Sequence, residues 1–389
     1  MNLFKKLFNK ETHFDFNSLE NSEKYNPSQK TVIIISGSIP TFDRDSGSNR
    51  LKEIILAYLE INYNCILCYN TSDDDENYTR FFKDQNVILF SELKNKKKTI
   101  SFLKSSFNID YVWFYGPNSL KKHFKNFIKI VPKSKTIYDM VDIHFLRYKR
   151  AIELDPKRIS LRKRYKKYFK IETNLAKKTD LIIAISEQEK EIMSSYIDKN
   201  KIITISNIHY PKIDLQKTLS FENRKNVLFI GSAHTPNIDA LHFLNEKIMP
   251  LVWEKIPNLK VDIIGNLDKE ITDINHPNMV FHGYVPEIES FFNSAKFMIA
   301  PLRYGAGVKG KIGQSFEYYL PLVTTKIGAE GMFLKHNENA LIADNAEDFA
   351  NEIISLYENK ELWLKLQSHS EDSLKPFSRE ILKETLIKI

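Results

Sequence analysis

The segment richest in chemistry is Tyr304-Gly305-Ala306-Gly307-Val308-Lys309-Gly310-Lys311-Ile312-Gly313-Gln314-Ser315-Phe316-Glu317. It follows an apolar run ending at Leu302 and opens an amphipathic stretch, with four glycines in nine residues. Glycines let backbone N–H groups approach a ligand closely, and a helix N-terminus offers unpaired donors and a positive dipole end. Lys309 and Lys311 add cationic charge at the same turn. Together these features suit a phosphate or diphosphate, and the two lysines weigh against a purely structural glycine loop. The spacing is not that of a Walker loop, because no Lys-Ser/Thr follows the last glycine.

Such a loop needs a sheet beneath it. From Thr31 onward, short apolar runs alternate with amphipathic stretches. Residues Val32–Ile35, Cys65–Cys68, Val87–Phe90, Tyr111–Phe114, Thr136–Tyr138 and Leu181–Ile185 read as buried strands, while Leu51, Ile54, Ile55, Tyr58 and Leu59 form a helical stripe. After a polar stretch over 212–224 the pattern restarts with Val227–Ile230, Val261–Ile264, Met279–Phe281, Phe297–Ala300 and Leu322–Thr324, with helices around Ile238–Trp253 and Ile288–Ala295. This alternation predicts an α/β chain of two doubly wound domains, with ligands outside the carboxyl ends of the strands and in the cleft between domains. The expected boundaries are a lead-in over 1–30, a first domain over 31–210, a linker over 211–225, a second domain over 226–375, and a C-terminal helix over 376–389 placed to cross back to the first domain. Glycine is scarce, 12 in 389 residues against an average of about 7%, and six of the twelve fall between Gly305 and Gly331.

Several motifs, in order, resemble a known family. Gly231…Pro236-Asn237-Ile238-Asp239-Ala240, Ile264-Gly265, Phe281-His282-Gly283-Tyr284-Val285-Pro286, Pro301-Leu302-Arg303…Gly305-Ala306-Gly307, Pro321-Leu322-Val323-Thr324-Thr325 and Gly328-Ala329-Glu330-Gly331 are similar to the C-terminal domain of family-4 glycosyltransferases, the group 1 type, over roughly 226–370. Asp45-Ser46-Gly47-Ser48-Asn49-Arg50 and the segment from Tyr138 to Arg147 resemble N-terminal motifs of the same family. The resemblance implies the GT-B fold, two Rossmann-like domains facing across a cleft. It also implies retaining, metal-independent transfer of a sugar from a nucleotide-diphosphate sugar to a hydroxyl of a glycan, lipid-linked glycan or other surface glycoconjugate, with no cofactor beyond the donor substrate.

Carried onto this chain, the resemblance sets Gly305, Ala306, Gly307 and Val308 against the donor sugar and diphosphate, with Lys309 or Lys311 neutralising the leaving group. Tyr284 and Val285 would offer backbone contacts to the base, Gly47 would close on the diphosphate, and His234 would lie near a phosphate. His144 would sit by the reacting centre, orienting the acceptor hydroxyl or taking its proton, with Asp142 as its partner; Asp45, Ser46, Asp142 and Arg147 fall on the acceptor side. Two glutamates typical of the family are replaced by Ala306 and Gln314. A carboxylate accepts from both ribose hydroxyls, whereas the amide of Gln314 brings one acceptor and one donor group; Glu317, one turn on, is a candidate substitute. These losses keep open a second class of function, a non-catalytic nucleotide-sugar-binding or scaffold subunit. Asp73-Asp74-Asp75-Glu76 has the Asp-x-Asp spacing by which the other major glycosyltransferase fold holds a divalent metal, but it reads as a solvated acidic loop, and no metal site is expected.

The net charge of +8 is a single patch. Between Arg147 and Lys178 there are 13 basic and 3 acidic residues, so the rest of the chain sums to −2. Leu161, Tyr165, Tyr168, Glu172 and Leu175 recur at helical spacing there, with Arg162, Lys163, Arg164, Lys166 and Lys167 largely covering the other faces. The patch reads either as a solvated helix face or as a surface for anionic lipid or a phosphorylated acceptor. No nucleic-acid motif accompanies it, and no nucleic-acid partner is expected. No run approaches the roughly 20 apolar residues of a membrane span, and the N-terminus lacks a signal-peptide core. The expected location is cytoplasmic, with peripheral attachment to the inner membrane face through residues 147–178, and Leu3, Phe4, Leu7 and Phe8 as a short amphipathic anchor. Cys65 and Cys68 would point to opposite faces of a strand, as buried thiols.

Overall fold

A computed structural model describes residues 19–70, 76–91, 96–267 and 269–389. The amphipathic anchor at the N-terminus and Asp73 to Asp75 lie outside the described residues. The chain forms two α/β domains. The first is built on β1 (Leu19–Glu20), β2 (Thr31–Ile35), β3 (Asn64–Cys68), β4 (Ile88–Phe90), β5 (Tyr111–Tyr115), β6 (Lys135–Asp139), β7 (Leu181–Ala184) and β8 (Ile202–Thr204), in the order β1-β4-β3-β2-β5-β6-β7-β8. All neighbours are parallel except β1, which pairs antiparallel with β4. The second is built on β9 (Lys225–Ile230), β10 (Val261–Ile264), β11 (Met279–Gly283), β12 (Ala295–Ala300), β13 (Leu322–Thr324) and β14 (Leu341–Ile342), all parallel in the order β11-β10-β9-β12-β13-β14. Each order reverses beside its first central strand, leaving a crevice at the carboxyl edge.

The uninterrupted apolar runs reflect burial of both faces of each sheet. Ile33, Ile35, Ile66 and Cys68 pack into one layer of the first domain; Val32, Ile34, Cys65 and Leu67 pack into the other. The two cysteines therefore do lie on opposite faces, and burial pushes both thiols up. Residues 19–30 belong to this domain rather than preceding it: besides the β1 pairing, the Asn26 N–H donates to Asn64 Oδ1 at 2.9 Å and the Asn64 amide donates to the Asn26 carbonyl at 2.8 Å.

The polypeptide crosses between the domains twice, after β8 and again near Lys375–Phe377. The second crossing leads into helix Arg379–Ile387, which packs on helix Ser46–Glu60; Leu382 and Leu386 enter the first domain's core. Burying each contributes about 2 kcal/mol. Arg379 also pairs with Glu53 and, at 2.8 Å, with Glu60.

Candidate active site in the cleft

The carboxyl ends of both sheets face each other, and the loops there carry the polar groups. In the first domain, the chain after β6 runs through Asp139, Val141 and Asp142 into helix His144–Leu154. Arg50 and Asp139, both fully buried, pair through Arg50 Nη1 at 2.9 and 3.0 Å, and Arg50 Nη2 donates to the Ile205 carbonyl at 2.8 Å. The Val141 N–H donates to Asp139 Oδ1 at 3.0 Å, and Val141 has φ of +65°. A β-branched residue in that region stores about 1–2 kcal/mol of strain. Just past this residue, Asp142 lies beside Gly307 of the second domain.

His144 is tied to two carboxylates: its Nδ1 lies 2.8 Å from Asp142 Oδ1 and 3.1 Å from Glu172 Oε1. Although burial opposes the charge, the two carboxylates hold the imidazole as its cation, pushing its pKa up to about 10. Asp142 is correspondingly held below the usual range by Arg147 and His144 against its own burial, and Arg147 pairs with it directly. As its cation the ring carries only donors. Glu172 is completely buried in a wide helical turn, Lys170–Leu175, and accepts from the backbone N–H groups of His144 and Phe145 at 3.0 and 2.9 Å. Insertions of this kind within helices often mark functional positions.

In the second domain, the glycine loop leaves β12 and enters helix Gly310–Glu317. Gly307 has φ of +73°, and a Cβ there would come within 2.8 Å of Asp142 Cβ. A Cβ on Gly310 would meet Ser46 Cβ at 2.4 Å, and one on Gly313 would meet the His209 ring at 2.2 Å. The glycines thus admit side chains from the first domain and its crossover. Opposite the loop, Glu189 reaches from helix Glu187–Ser194, and its Oε1 accepts from the N–H groups of both Ile143 (3.2 Å) and Gly307 (2.7 Å). Burial, reinforced by Asp142, pushes Glu189 up to about 8. Arg150 donates to the Gly305 carbonyl at 2.8 Å and clasps Glu330 at 2.5 and 2.7 Å. Arg150, Glu172 and Glu189 were not among the residues singled out from sequence. Glu172 showed itself there only as a carboxylate on an apolar stripe.

The remaining sequence candidates fall as follows. Lys309 Nζ donates to the Gly307 carbonyl at 2.6 Å, and burial lowers it to about 8 despite Glu330. Lys311 Nζ donates to Asn237 Oδ1 at 2.7 Å and lies 4.7 Å from the Phe229 ring centre; burial and Lys309 bring it down to about 7. His234 stands at the N-cap position of helix Thr235–Phe243 without capping it, its Nε2 3.1 Å from Arg147 Nη1. Burial and Arg147 lower His234 to about 4. Asp45 is the N-cap of helix Ser46–Glu60, accepting from the Ser48 N–H at 2.8 Å. Ser46 faces Gly310, and the Gly47 carbonyl accepts from the Tyr115 hydroxyl at 2.7 Å. Tyr284 is exposed with its hydroxyl 3.2 Å from Asp43 Oδ2, beside half-buried Val285. Gly305 and Val308 are buried, and Ala306 and Gln314 are half-buried along the loop and its helix. Glu317 is not free to replace Gln314, being buried against His209 Nδ1 at 3.0 Å.

No group of three or more His, Cys, Asp or Glu side chains placed for a metal ion occurs among the described residues. Among the same residues, no helix is long and apolar enough to cross a membrane.

Comparison with known proteins bears on the fold and on the second domain. Residues 224–359 match the family model described as Glycosyl transferases group 1. A Klebsiella pneumoniae protein, an uncharacterized 44.6 kDa protein in a cps region, is 30% identical over 204 residues, half of each chain. The match therefore spans about half the length of that relative. Among solved structures, HepE of Anabaena in complex with UDP and glucose superposes with a TM-score of 0.70 at 13% identity, covering 92% of this chain and 99% of that one. A TarM variant of S. aureus in complex with fondaparinux, α-GlcNAc-glycerol and UDP gives 0.68 at 14% identity, over 92% and 99%. The chain has the GT-B fold, and the part of it carrying the glycine loop matches the group 1 glycosyl transferases.

Proposed function

We propose that this protein is a retaining, metal-independent glycosyltransferase that moves a sugar from a nucleotide-diphosphate donor to a hydroxyl of a glycan or lipid-linked glycan. The observation that carries the reading is the meeting of two loops across the cleft, Gly305 to Lys311 on one side and Asp142-His144-Arg147 on the other. The family match over 224–359 and the UDP complexes of HepE and TarM support it.

On this reading the donor parts the two loops and takes its place between them. The bond from the anomeric carbon to the diphosphate oxygen breaks with its electron pair passing to the diphosphate. The acceptor oxygen bonds to the same face of that carbon, and its proton passes to the departing phosphate oxygen. Charge therefore grows on the diphosphate, where fixed cations lower the barrier most directly. Lys311, whose charge is suppressed by burial, regains its proton beside that anion. His144, kept cationic by Asp142 and Glu172, donates from its remaining ring nitrogen and orients the substrate. Leu154 and Ile159, 46% and 68% exposed, stand among Arg158, Arg162 and Lys163 as a surface for an anionic membrane carrying the acceptor.

The test is a panel of nucleotide sugars assayed for binding, slow hydrolysis and transfer, with Lys311→Ala alongside. Turnover that disappears in the folded Lys311→Ala variant is the expected result. Donor binding with no turnover on any acceptor would favour the scaffold subunit, which the missing carboxylates at 306 and 314 motivate. Absence of donor binding would refute both.

A further inference from the structure

Among the described residues, Arg150 is the one arginine that hydrogen-bonds to the glycine loop, and it does so from helix His144–Leu154 of the other domain. Its Nη1 donates to the Gly305 carbonyl at 2.8 Å and to Glu330 Oε2 at 2.7 Å, while its Nη2 donates to Glu330 Oε1 at 2.5 Å. Glu330 ends the short helix Lys326–Ala329 beyond β13. The pair therefore ties the two domains together at the glycine loop.

Two features set it apart from the other charged pairs of the cleft. Glu172, Glu189 and the Arg50–Asp139 pair are buried, whereas the side chains of Arg150 and Glu330 keep 19% and 27% of their surface exposed. Solvent and ligands can reach them. Glu330 also has a second cation on its flank, with Lys309 Nζ 3.7 Å from Oε2. A carboxylate held in a guanidinium fork, beside an ammonium group and the glycine loop, fills a position made for a two-oxygen anion. Phosphate presents the same pair of oxygens to such a fork. The loop's own lysines hold their charge less firmly, since burial lowers Lys309 to about 8 and Lys311 to about 7, while a guanidinium keeps its charge throughout.

Building on the reading that the chain binds a nucleotide-diphosphate donor, we infer that Arg150 is a donor-binding residue supplied by the first domain, and that it exchanges Glu330 for the donor's diphosphate. Glu330 then competes with the donor for one guanidinium. The exchange replaces a direct tie between the domains with one that runs through the ligand, so donor binding and the release of the clasp are a single event.

The test is calorimetric titration of the full chain. UDP, GDP and ADP are tried on the unaltered protein, and the tightest binder is carried to Arg150→Ala, Glu330→Gln and the combined variant, each checked for its fold by circular dichroism. Arg150→Ala should bind about tenfold more weakly, as loss of a charge-assisted pair of bonds dictates once release from Glu330 is set against it. Glu330→Gln should bind about threefold more tightly, the scale of removing a partly exposed competing carboxylate. The combined variant should match Arg150→Ala, because the competition runs through the guanidinium; a carboxylate acting merely as a nearby negative charge would give the same gain in both backgrounds. If Arg150→Ala does not fold, Arg150→Lys takes its place, a point charge without the fork, with a loss of about threefold. Unchanged affinity in the Arg150 variants, or a gain from Glu330→Gln that is equal with and without Arg150, would overturn the inference and leave the transferase reading standing. Absence of binding by any of the three nucleotides to the unaltered protein would overturn both.

Discussion

Glu189→Gln isolates the contact that joins the two loops. The glutamate is pushed from an ordinary 4.5 to about 8. A carboxyl whose folded value is raised contributes fully to stability below about 4.5, and that contribution is lost as pH climbs through about 8. At 1.36 kcal/mol per pH unit the interval corresponds to about 5 kcal/mol; relaxation and water entry around a buried charge leave about 2–3 kcal/mol. The glutamine keeps the Oε1 acceptor for both backbone N–H groups, and its amide nitrogen replaces Oε2, which has no hydrogen-bond partner in the structure. Urea denaturation at pH 5, 7 and 9 should find the two proteins matched at pH 5 and the glutamine variant ahead by about 2–3 kcal/mol at pH 9. Parallel pH profiles would mean that Glu189 titrates like a solvent-exposed side chain, and the reasoning would fail.

Gly307→Ala places a side chain at φ of +73° and 2.8 Å from Asp142 Cβ, so it should lower stability by about 2–3 kcal/mol and open the cleft in small-angle scattering. Gly37→Ala, with nothing within 4 Å, is the matched control and should change neither. His144, raised to about 10, contributes stability that is full below about 6.5 and lost as pH rises through 10; Asp142→Asn should flatten thermal melts over that window, and an unchanged slope would count against the ion pair. Gln314→Glu should retain or tighten affinity for a UDP-sugar by calorimetry if this helix position meets the ribose, and a marked loss would show another arrangement.

The strands were legible where the run was long. Val32-Ile33-Ile34-Ile35 has no polar interruption because both of its faces are buried, and only a central parallel strand requires that. Leu19–Glu20, Ile202–Thr204 and Leu341–Ile342 went unread, because two or three residues at a sheet's side carry too little pattern. The glycine loop was legible as a close approach, but composition could not say what approaches. In this structure Asp142, Ser46 and His209 do so, from far along the chain. Glu189 sits three residues after Ser186, the ordinary spacing of a helix start; its N-cap bond is local, and only tertiary folding shows its carboxylate crossing to Gly307.

The doubled crossing bears on how the molecule is made. Leu382 and Leu386 complete the core of the first domain but leave the ribosome after the whole second domain has been synthesised. Until then helix Ser46–Glu60 presents a bare apolar flank to its surroundings. The second domain's main core is drawn from one continuous stretch, whereas one layer of the first domain's core takes two residues from the far end of the described chain. The layer of the first domain's core that receives Leu382 and Leu386 is therefore completed only after the second domain has been made.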